Sequence, residues 1–254
     1  MSGALSGLSS SGEIDSTLPT RKLLAVGCRI LSLHGHDDFN QGQISARRHD
    51  SPDFLIKVAQ RGFDDACPDD MVACAVAQDA VVPPEAPPEA PLHQAIYAAR
   101  LDVGAIVHSH AESATIFGAT DLQIVPISHE GAFFKDEVSR FDETSHTILD
   151  HDTGGAVARA LGQKSALLLC NHGLVVVAAT VRRAVILTLM LERACRLQLL
   201  AESLQRSYRT TRDEEVEKKR RYIYSDVAIR NYWNHAAQAA CRAFPDAQEW
   251  RSPA

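Results

Sequence analysis

The chain has 254 residues, of which 45% are hydrophobic and 23% are charged, and its formal net charge is −6. These values are ordinary for a globular protein and exclude a chain that is basic throughout, so no nucleic-acid partner is expected. The basic run at 217–222 follows acidic residues, and opposite charges at helical spacing favour a solvated helix face. No uninterrupted apolar run is long enough to span a membrane, so no membrane association is expected.

The six cysteines lie mostly in apolar runs, and no two of them form a C-x-x-C pair. This pattern favours reduced, buried thiols and therefore a cytoplasmic protein. Residues 1–19 are rich in Ser and Gly and lack the basic and apolar regions of a signal peptide, so we expect a flexible tail. Because no internal repeat or linker follows, residues 20–254 are predicted to form a single domain.

Hydrophobic residues follow helical periodicity in some segments and strand-like runs in others, which predicts an α/β protein. In chain order the predicted elements are a helix at 20–35, strands at 42–48, 53–59 and 71–77, a Pro-rich loop at 81–91, a helix at 92–100, a strand at 104–110, helices at 111–119 and 152–162, two strands around a turn at 165–179, a long helix at 181–205 and a last helix at 214–244.

Two histidines, His108 and His110, stand one residue apart at the end of an apolar strand-like run. Side chains of a strand alternate between its faces, so both imidazoles point the same way, as two ligands of one metal ion would. By itself the pair is equally compatible with polar histidines at a strand end. His172 ends a second apolar run, and a third imidazole would complete a site that leaves positions open for substrate, as catalytic metal sites do.

Glu89 lies in the Pro-rich loop immediately before a predicted helix. Its carboxylate is either a favourable charge at the helix N-terminus or an acid/base that reaches the metal site. The residues alone leave both interpretations open.

The run E-x-P-L-H-x-A-I-Y-x-A-R-x-D-V-G-A-I-V-H-S-H at 89–110, followed by N-H-G at 171–173, resembles the class II aldolase/adducin family. The resemblance extends over about residues 20–240 and includes N-Q-G-Q-I-S-A-R, D-F-L-I-K and C-P-D-D-M-V-A in the family's order. It implies a three-layer α/β/α sandwich with a central, mainly antiparallel sheet. It also implies a homotetramer with active sites near subunit interfaces.

By position, the resemblance implies that His108, His110 and His172 bind one divalent metal ion per subunit. Manganese is favoured, with zinc, iron and cobalt as alternatives. Glu89 matches the family's acid/base, which is also a metal ligand when no substrate is bound.

The chain departs from the family's sugar-phosphate aldolases at the three segments that hold the phosphate. Gly-Gln at 42–43 replaces a Gly-Asn turn, V-A-Q-R-G at 58–62 replaces a Thr/Ser-Gly loop, and Pro-Pro at 87–88 replaces two serines. Proline has neither a backbone N–H nor a hydroxyl, so it cannot donate to phosphate oxygens. We therefore expect an unphosphorylated small-molecule carboxylate as substrate.

The candidate substrate-binding residues are Gln43, Arg61, Gly62, His129 and Glu130. Arg61 could pair with a planar carboxylate through two hydrogen bonds, although a surface role in its loop is equally compatible with the sequence. His129 and Glu130 belong to a segment that is similar to the family's aromatic-dicarboxylate decarboxylases, where a capping or packing role is the alternative.

The predicted function is a metal-dependent carbon–carbon lyase that decarboxylates a hydroxylated aromatic or heteroaromatic dicarboxylate, with Glu89 as acid/base. The first alternative is an aldolase that cleaves a hydroxy-ketone or a sugar phosphate. Two others remain, a non-haem iron oxygenase and a non-enzymatic, adducin-like module. The predicted metal ligands argue against the last.

Overall fold

The structure, a computed structural model, describes residues 18–48, 51–77 and 80–250. Most of the predicted N-terminal tail, residues 1–17, lies outside the described residues. The first helix begins at Leu18, two residues before the predicted start of the domain.

The described part of the chain forms helices and strands that alternate along the sequence, as predicted. The strands are β1 (Gln43–Arg47), β2 (Asp53–Lys57), β3 (Met71–Ala75), β4 (Ala105–Ser109), β5 (Val138–Phe141), β6 (Ala166–Leu169) and β7 (Gly173–Ala178). The α-helices are α1 (Leu18–Leu33), α2 (Ala90–Ala99), α3 (Glu112–Gly118), α4 (His129–Phe134), α5 (His151–Leu161), α6 (Val181–Ser203), α7 (Asp213–Ile223) and α8 (Asp226–Ala243).

All seven strands join one mixed sheet in the order β3-β2-β1-β4-β7-β6-β5. β5 and β6 are parallel, and the other neighbouring strands pair antiparallel. Central strand β4 places His108 opposite Gln43 of β1 on one side and opposite Val175 of β7 on the other. This register brings the histidine pair next to the turn between β6 and β7.

Helices cover the sheet from two sides, and two clusters of buried side chains mark these contacts. Residues of α1, α3, α6 and α8 belong to the first cluster, and residues of α2 and α5 belong to the second. Along β4, Ala105 and Val107 join the first cluster, whereas Ile106 joins the second. Since side chains alternate, His108 points towards α2 and Ser109 points towards α1 and α6.

The structure differs from the predicted elements mainly near the C-terminus. The predicted helix at 214–244 is two helices, because the backbone leaves the helical conformation at Tyr224 and Ser225. The Ser225 hydroxyl accepts the N–H of Ala228 and so begins α8 as an N-cap. Two short elements, α4 and β5, were not predicted, because neither is long enough to show a periodic pattern.

None of the helices in the described ranges has both the length and the hydropathy that crossing a membrane requires.

Candidate metal centre

Glu89, His108, His110 and His172 lie together at one end of the central strands. One ligand atom from each residue lies within 4.8 Å of the corresponding atoms of the other three. The ring centroids of His108 and His110 are 4.9 Å apart, and the His172 centroid is 5.1 Å from each of them. The side chains that the sequence analysis selected from three separate segments are thus neighbours in space.

His108 and His110 are each oriented by a hydrogen bond at Nδ1. His108 Nδ1 lies 2.8 Å from the backbone oxygen of Leu174 in the adjacent strand β7. His110, which follows the last residue of β4, has its Nδ1 2.8 Å from Oδ2 of Asp38. Bonds of this kind leave Nε2 as the atom available to a metal, and a carboxylate partner also makes the imidazole a better ligand.

The turn between β6 and β7 presents His172, and its backbone geometry explains the neighbouring residues. Asn171 has a positive φ of 56°, a conformation that asparagine adopts more readily than most residues. A Cβ atom at Gly173 would lie 2.4 Å from the oxygen of Ser109 and 2.9 Å from Cδ2 of His110. Only glycine allows this turn to approach β4 closely enough for His172 to join the pair.

Glu89 precedes α2, and its buried carboxylate is held on both oxygens. Oε2 accepts a hydrogen bond from Nε2 of Gln43 at 3.1 Å, and Oε1 accepts the backbone N–H of Ile148 at 3.1 Å. Oε2 also lies 3.2 Å from Nε2 of His108, and Oε1 lies 3.5 Å from Nε2 of His172. The side chain therefore points into the histidine cluster and does not cap its own helix.

The electrostatics of the four residues are coupled. Burial alone would raise the pKa of Glu89, but the charge and hydrogen bond of His108, the Ile148 N–H and the charge of His172 together lower it. Burial opposes protonation of His108, yet the nearby Glu89 carboxylate raises its pKa. Burial and the charge of His108 lower the pKa of His110 and bring that of His172 to about 4.

The arrangement fits a divalent cation. Nε2 of His108 and Nε2 of His110 are 3.2 Å apart, and Nδ1 of each ring is already occupied, by the Leu174 oxygen and by Asp38. Two facing imidazole lone pairs repel each other unless a proton or a cation lies between them. With His172 and the Glu89 carboxylate on the same centre, the donor set is three imidazole nitrogens and one carboxylate, which suits zinc, manganese, iron or cobalt.

A cavity of about 250 Å³ opens beside Glu89. Gln43, Pro87 and Pro88 line it, so three of the positions that distinguish this chain from the phosphate-binding aldolases lie around the cavity beside Glu89. Gln43 uses its amide nitrogen on Glu89, and the prolines present only carbon and carbonyl groups. These three positions therefore add few free hydrogen-bond donors to the cavity wall.

Arg61 and Gly62 are not among the residues that line this cavity. The Arg61 guanidinium is half-exposed and binds the carboxylates of Asp65 and Asp70 at 3.0 and 3.2 Å. Gly62 donates its N–H to Oδ1 of Asp65, and a Cβ there would lie 2.6 Å from the oxygen of Phe39. In this chain both residues shape their own loop, so the contacts favour the surface alternative for Arg61.

Lys57 lines the cavity, although sequence reasoning passed over it. Its ammonium group is buried and donates to the backbone oxygens of Asn40, Val58 and Arg61. Burial lowers its pKa. A lysine that ends the apolar run F-L-I was the available signal, because lysine is rarely buried unless its ammonium group has partners.

His129 and Glu130 begin α4, away from the cavity beside Glu89. Glu130 accepts a hydrogen bond from Nε of Arg193 at 3.0 Å and lines a different cavity. The contacts within one chain therefore do not place either residue against a substrate bound at the metal centre.

Comparison with known proteins identifies relatives of the chain. Residues 22–199 match the family model of the class II aldolase and adducin N-terminal domain. The chain is 33% identical over 112 residues to decarboxylase NovR of Streptomyces niveus, a match that covers 44% of this chain and 42% of NovR. It is equally similar, over 112 residues and 40% of that protein, to a 4-hydroxy-3-prenylphenylpyruvate oxygenase/4-hydroxy-3-prenylbenzoate synthase of Streptomyces roseochromogenus. The chain thus spans less than half the length of both relatives.

A solved structure resembles the whole described fold. The aldolase II superfamily protein from Pseudomonas syringae superposes with a TM-score of 0.81 and is 25% identical, and the match covers 93% of this chain and 97% of that protein. The predicted class II aldolase fold is thereby confirmed.

Proposed function

The chain belongs to the class II aldolase and adducin family, and we propose that it is a metal-dependent lyase that decarboxylates a hydroxylated aromatic or heteroaromatic dicarboxylate. The observation that carries this proposal is the group of Glu89 and three histidines beside an open cavity. Most members of the family are metal-dependent lyases.

In this proposal His108, His110 and His172 hold one divalent ion per subunit, and manganese is the favoured metal. A bound divalent cation supplies a Lewis acid that stabilises the negative charge left on the substrate when a carbon–carbon bond breaks. Asp38 and the backbone oxygen of Leu174 keep two of the imidazoles in the binding orientation.

Glu89 moves the proton that the reaction requires. It accepts a proton from the substrate's ring hydroxyl as the substrate binds. When carbon dioxide leaves, the electron pair of the broken bond stays on the ring carbon, and Glu89 returns the proton to that carbon. Gln43 and the Ile148 N–H keep the carboxyl group in place during both transfers.

The cavity wall supports an aromatic carboxylate over a sugar phosphate. A phosphate dianion needs several charge-assisted hydrogen bonds, each worth roughly 1.5–3 kcal/mol. Pro87 and Pro88 cannot donate, Gln43 is committed to Glu89, and Lys57 donates to three backbone oxygens. A flat ring can pack against the proline side, and the similarity to decarboxylase NovR points the same way.

One observation favours the oxygenase alternative: the chain is as similar to the 4-hydroxy-3-prenylphenylpyruvate oxygenase as it is to decarboxylase NovR. The aldolase alternative uses the same metal centre and acid/base. A non-enzymatic, adducin-like role would leave the convergence of four ligand groups unexplained.

Other properties complete the proposal. Residues 20–254 form a single domain, the two helix sets and the sheet make an α/β/α sandwich, and the protein is a cytoplasmic homotetramer with active sites near its subunit interfaces. The candidates for substrate contact remain Gln43, Arg61, Gly62, His129 and Glu130. Of these, Gln43 is the best supported, because it lines the cavity beside Glu89.

The test is a reconstitution assay. Chelator-treated protein receives manganese, zinc, iron or cobalt and is offered hydroxylated aromatic dicarboxylates, and carbon dioxide and oxygen are measured together. Metal-dependent carbon dioxide release without oxygen consumption supports the decarboxylase. Oxygen consumption with iron alone supports the oxygenase, and cleavage of fuculose 1-phosphate without any carbon dioxide supports the aldolase.

A further inference from the structure

A second cavity, of about 360 Å³, lies on the other side of β4 from the metal centre. Its walls come from the segment after α1, from α4 and from α6. His108 points towards α2, whereas Ser109 points towards α1 and α6, so strand β4 separates the two cavities. None of the four clustered residues Glu89, His108, His110 and His172 lines the second cavity.

His36 lies at the base of this cavity with one ring nitrogen committed and the other without a partner. The residue is 1% exposed, and its Nδ1 is 2.8 Å from Oγ of Ser109. Within the described residues the Ser109 hydroxyl has no other acceptor, so it donates to Nδ1. The ring proton is then on Nε2, and this buried N–H finds no acceptor in the described part of the chain.

The two carboxylates of the cavity are already satisfied. Both oxygens of Glu192 accept backbone N–H groups, from Ser113 at 3.0 Å and from Ala114 at 2.8 Å. Glu130 accepts a hydrogen bond from Nε of Arg193. Neither carboxylate therefore needs a cation from a ligand.

Hydrogen-bond donors remain on α6, the helix that also carries Glu192. Arg193 uses only Nε on Glu130, and Arg196, one turn further along α6, has no acceptor among the described residues. Leu189 and Met190 add an apolar surface beside the two guanidinium groups. The cavity thus combines arginine donors, one buried imidazole N–H and an apolar wall.

We propose that this cavity binds a small organic acid, whose carboxylate accepts hydrogen bonds from Arg193, Arg196 and His36 and whose apolar body packs on Leu189 and Met190. The ligand is monoanionic, because Glu130 and Glu192 balance the charges of Arg193 and Arg196 and leave no net positive charge for a dianion. Binding there is independent of the metal centre.

Methionine labelling gives a direct test, because the chain has only three methionines. Met190 lines the cavity, whereas Met71 is buried in β3 and serves as an internal reference. The full-length protein is labelled with [methyl-13C]methionine and 15N-histidine and titrated with benzoate, and Met190→Leu assigns the methyl resonance. The Met190 methyl and the His36 Nε2 resonances should shift along one saturable curve, while Met71 stays in place.

Matched ligands and variants test which groups of the ligand and of the protein are needed for binding. Arg196→Gln and Arg193→Gln should each weaken benzoate binding by about tenfold, the expected loss of one charge-assisted hydrogen bond, and the exposed control Arg206→Gln should not. Benzyl alcohol, which lacks the charge, and inorganic phosphate, which lacks the apolar body, should bind about tenfold more weakly. Unmoved Met190 and His36 resonances, equal binding of either control ligand, unchanged affinity in Arg196→Gln, or loss of binding in His172→Ala would each overturn the proposal.

Discussion

His110 and Asp38 meet through a 2.8 Å contact between Nδ1 and Oδ2, although 72 residues separate them in the chain. Within the described residues, Asp38 is the only carboxylate that contacts the Nδ1 atom of one of the three clustered imidazoles. The contact turns Nε2 of His110 towards His108 and Glu89. The loop that follows α1 therefore takes part in the metal centre without supplying a ligand.

We expect Asp38→Asn to lower metal affinity by about 10- to 100-fold, because the ring loses the carboxylate that fixes its tautomer. Turnover at saturating metal should fall much less. Calorimetric metal titration measures the affinity, and steady-state rates at saturating metal measure the turnover. Asp37→Asn is the matched control, because the neighbouring carboxylate pairs with Ser32 and should leave metal affinity unchanged. Equal affinities for the two variants would remove Asp38 from the centre.

Glu89→Gln should keep the fold and most of the metal but lose about 10²-fold or more in turnover, the usual cost of removing a positioned acid/base. Steady-state rates and metal content measured on the same preparation separate the two effects. Glu85→Gln changes an exposed carboxylate of the same Pro-rich loop and should behave as wild type. Near wild-type turnover in Glu89→Gln would assign that residue to local structure alone.

Gly173→Ala should destabilise the protein by about 1–3 kcal/mol, the typical cost of forcing an extra carbon into a packed site. The new Cβ would press on Ser109 and His110, so metal affinity should fall together with the thermal midpoint. Thermal unfolding with and without added metal measures this. Gly155→Ala is the control, because its Cβ meets only the flexible end of Arg159, and it should be neutral or stabilising. A Gly173→Ala protein with normal stability and metal binding would contradict the turn geometry.

His93 is buried and neutral, and burial lowers its pKa from the usual 6.5 to about 3. Between pH 6.5 and 3 the unfolded chain binds a proton at this residue that the folded protein does not. The free energy of unfolding therefore falls as the pH decreases, by up to about 1.4 kcal/mol per pH unit for this group. This stabilising contribution is complete above pH 6.5.

The contribution of His93 to the pH dependence of the free energy of unfolding can be isolated by comparing variants. Urea unfolding at pH 7 and pH 5 should show a smaller pH-induced loss in His93→Gln than in wild type, by about 2 kcal/mol. His235→Gln, a change at an exposed histidine of α8, should retain the wild-type dependence. Identical pH dependence in all three proteins would show that His93 does not stay neutral on folding.

The local patterns in the sequence were sufficient to predict which histidines cluster, but not which residues hold them in place. The H-x-H spacing after an apolar run and the Asn-His-Gly turn predicted that His108, His110 and His172 would meet. Asp38 and Ile148, which orient His110 and Glu89, come from distant loops and have no periodic signal. Such contacts depend on tertiary packing, which spacing along one chain does not encode.

For Arg61, in contrast, the sequence did contain the residues that hold the side chain. Its side chain was a candidate for substrate binding because of its place in the loop, yet Asp65 at i+4 and Asp70 were visible in the sequence as competing partners. The long helix and the central strands were predicted to within a few residues, since their apolar patterns are long. The break between α7 and α8 was missed because helix-forming residues continue on both sides of Ser225.

The most direct test of the metal centre is elemental analysis of purified protein loaded with manganese and then freed of excess metal. We expect about one metal ion per chain for wild type and for the exposed control His146→Ala, and a small fraction of that for His172→Ala. A His172→Ala protein that folds normally and retains one metal ion per chain would contradict it.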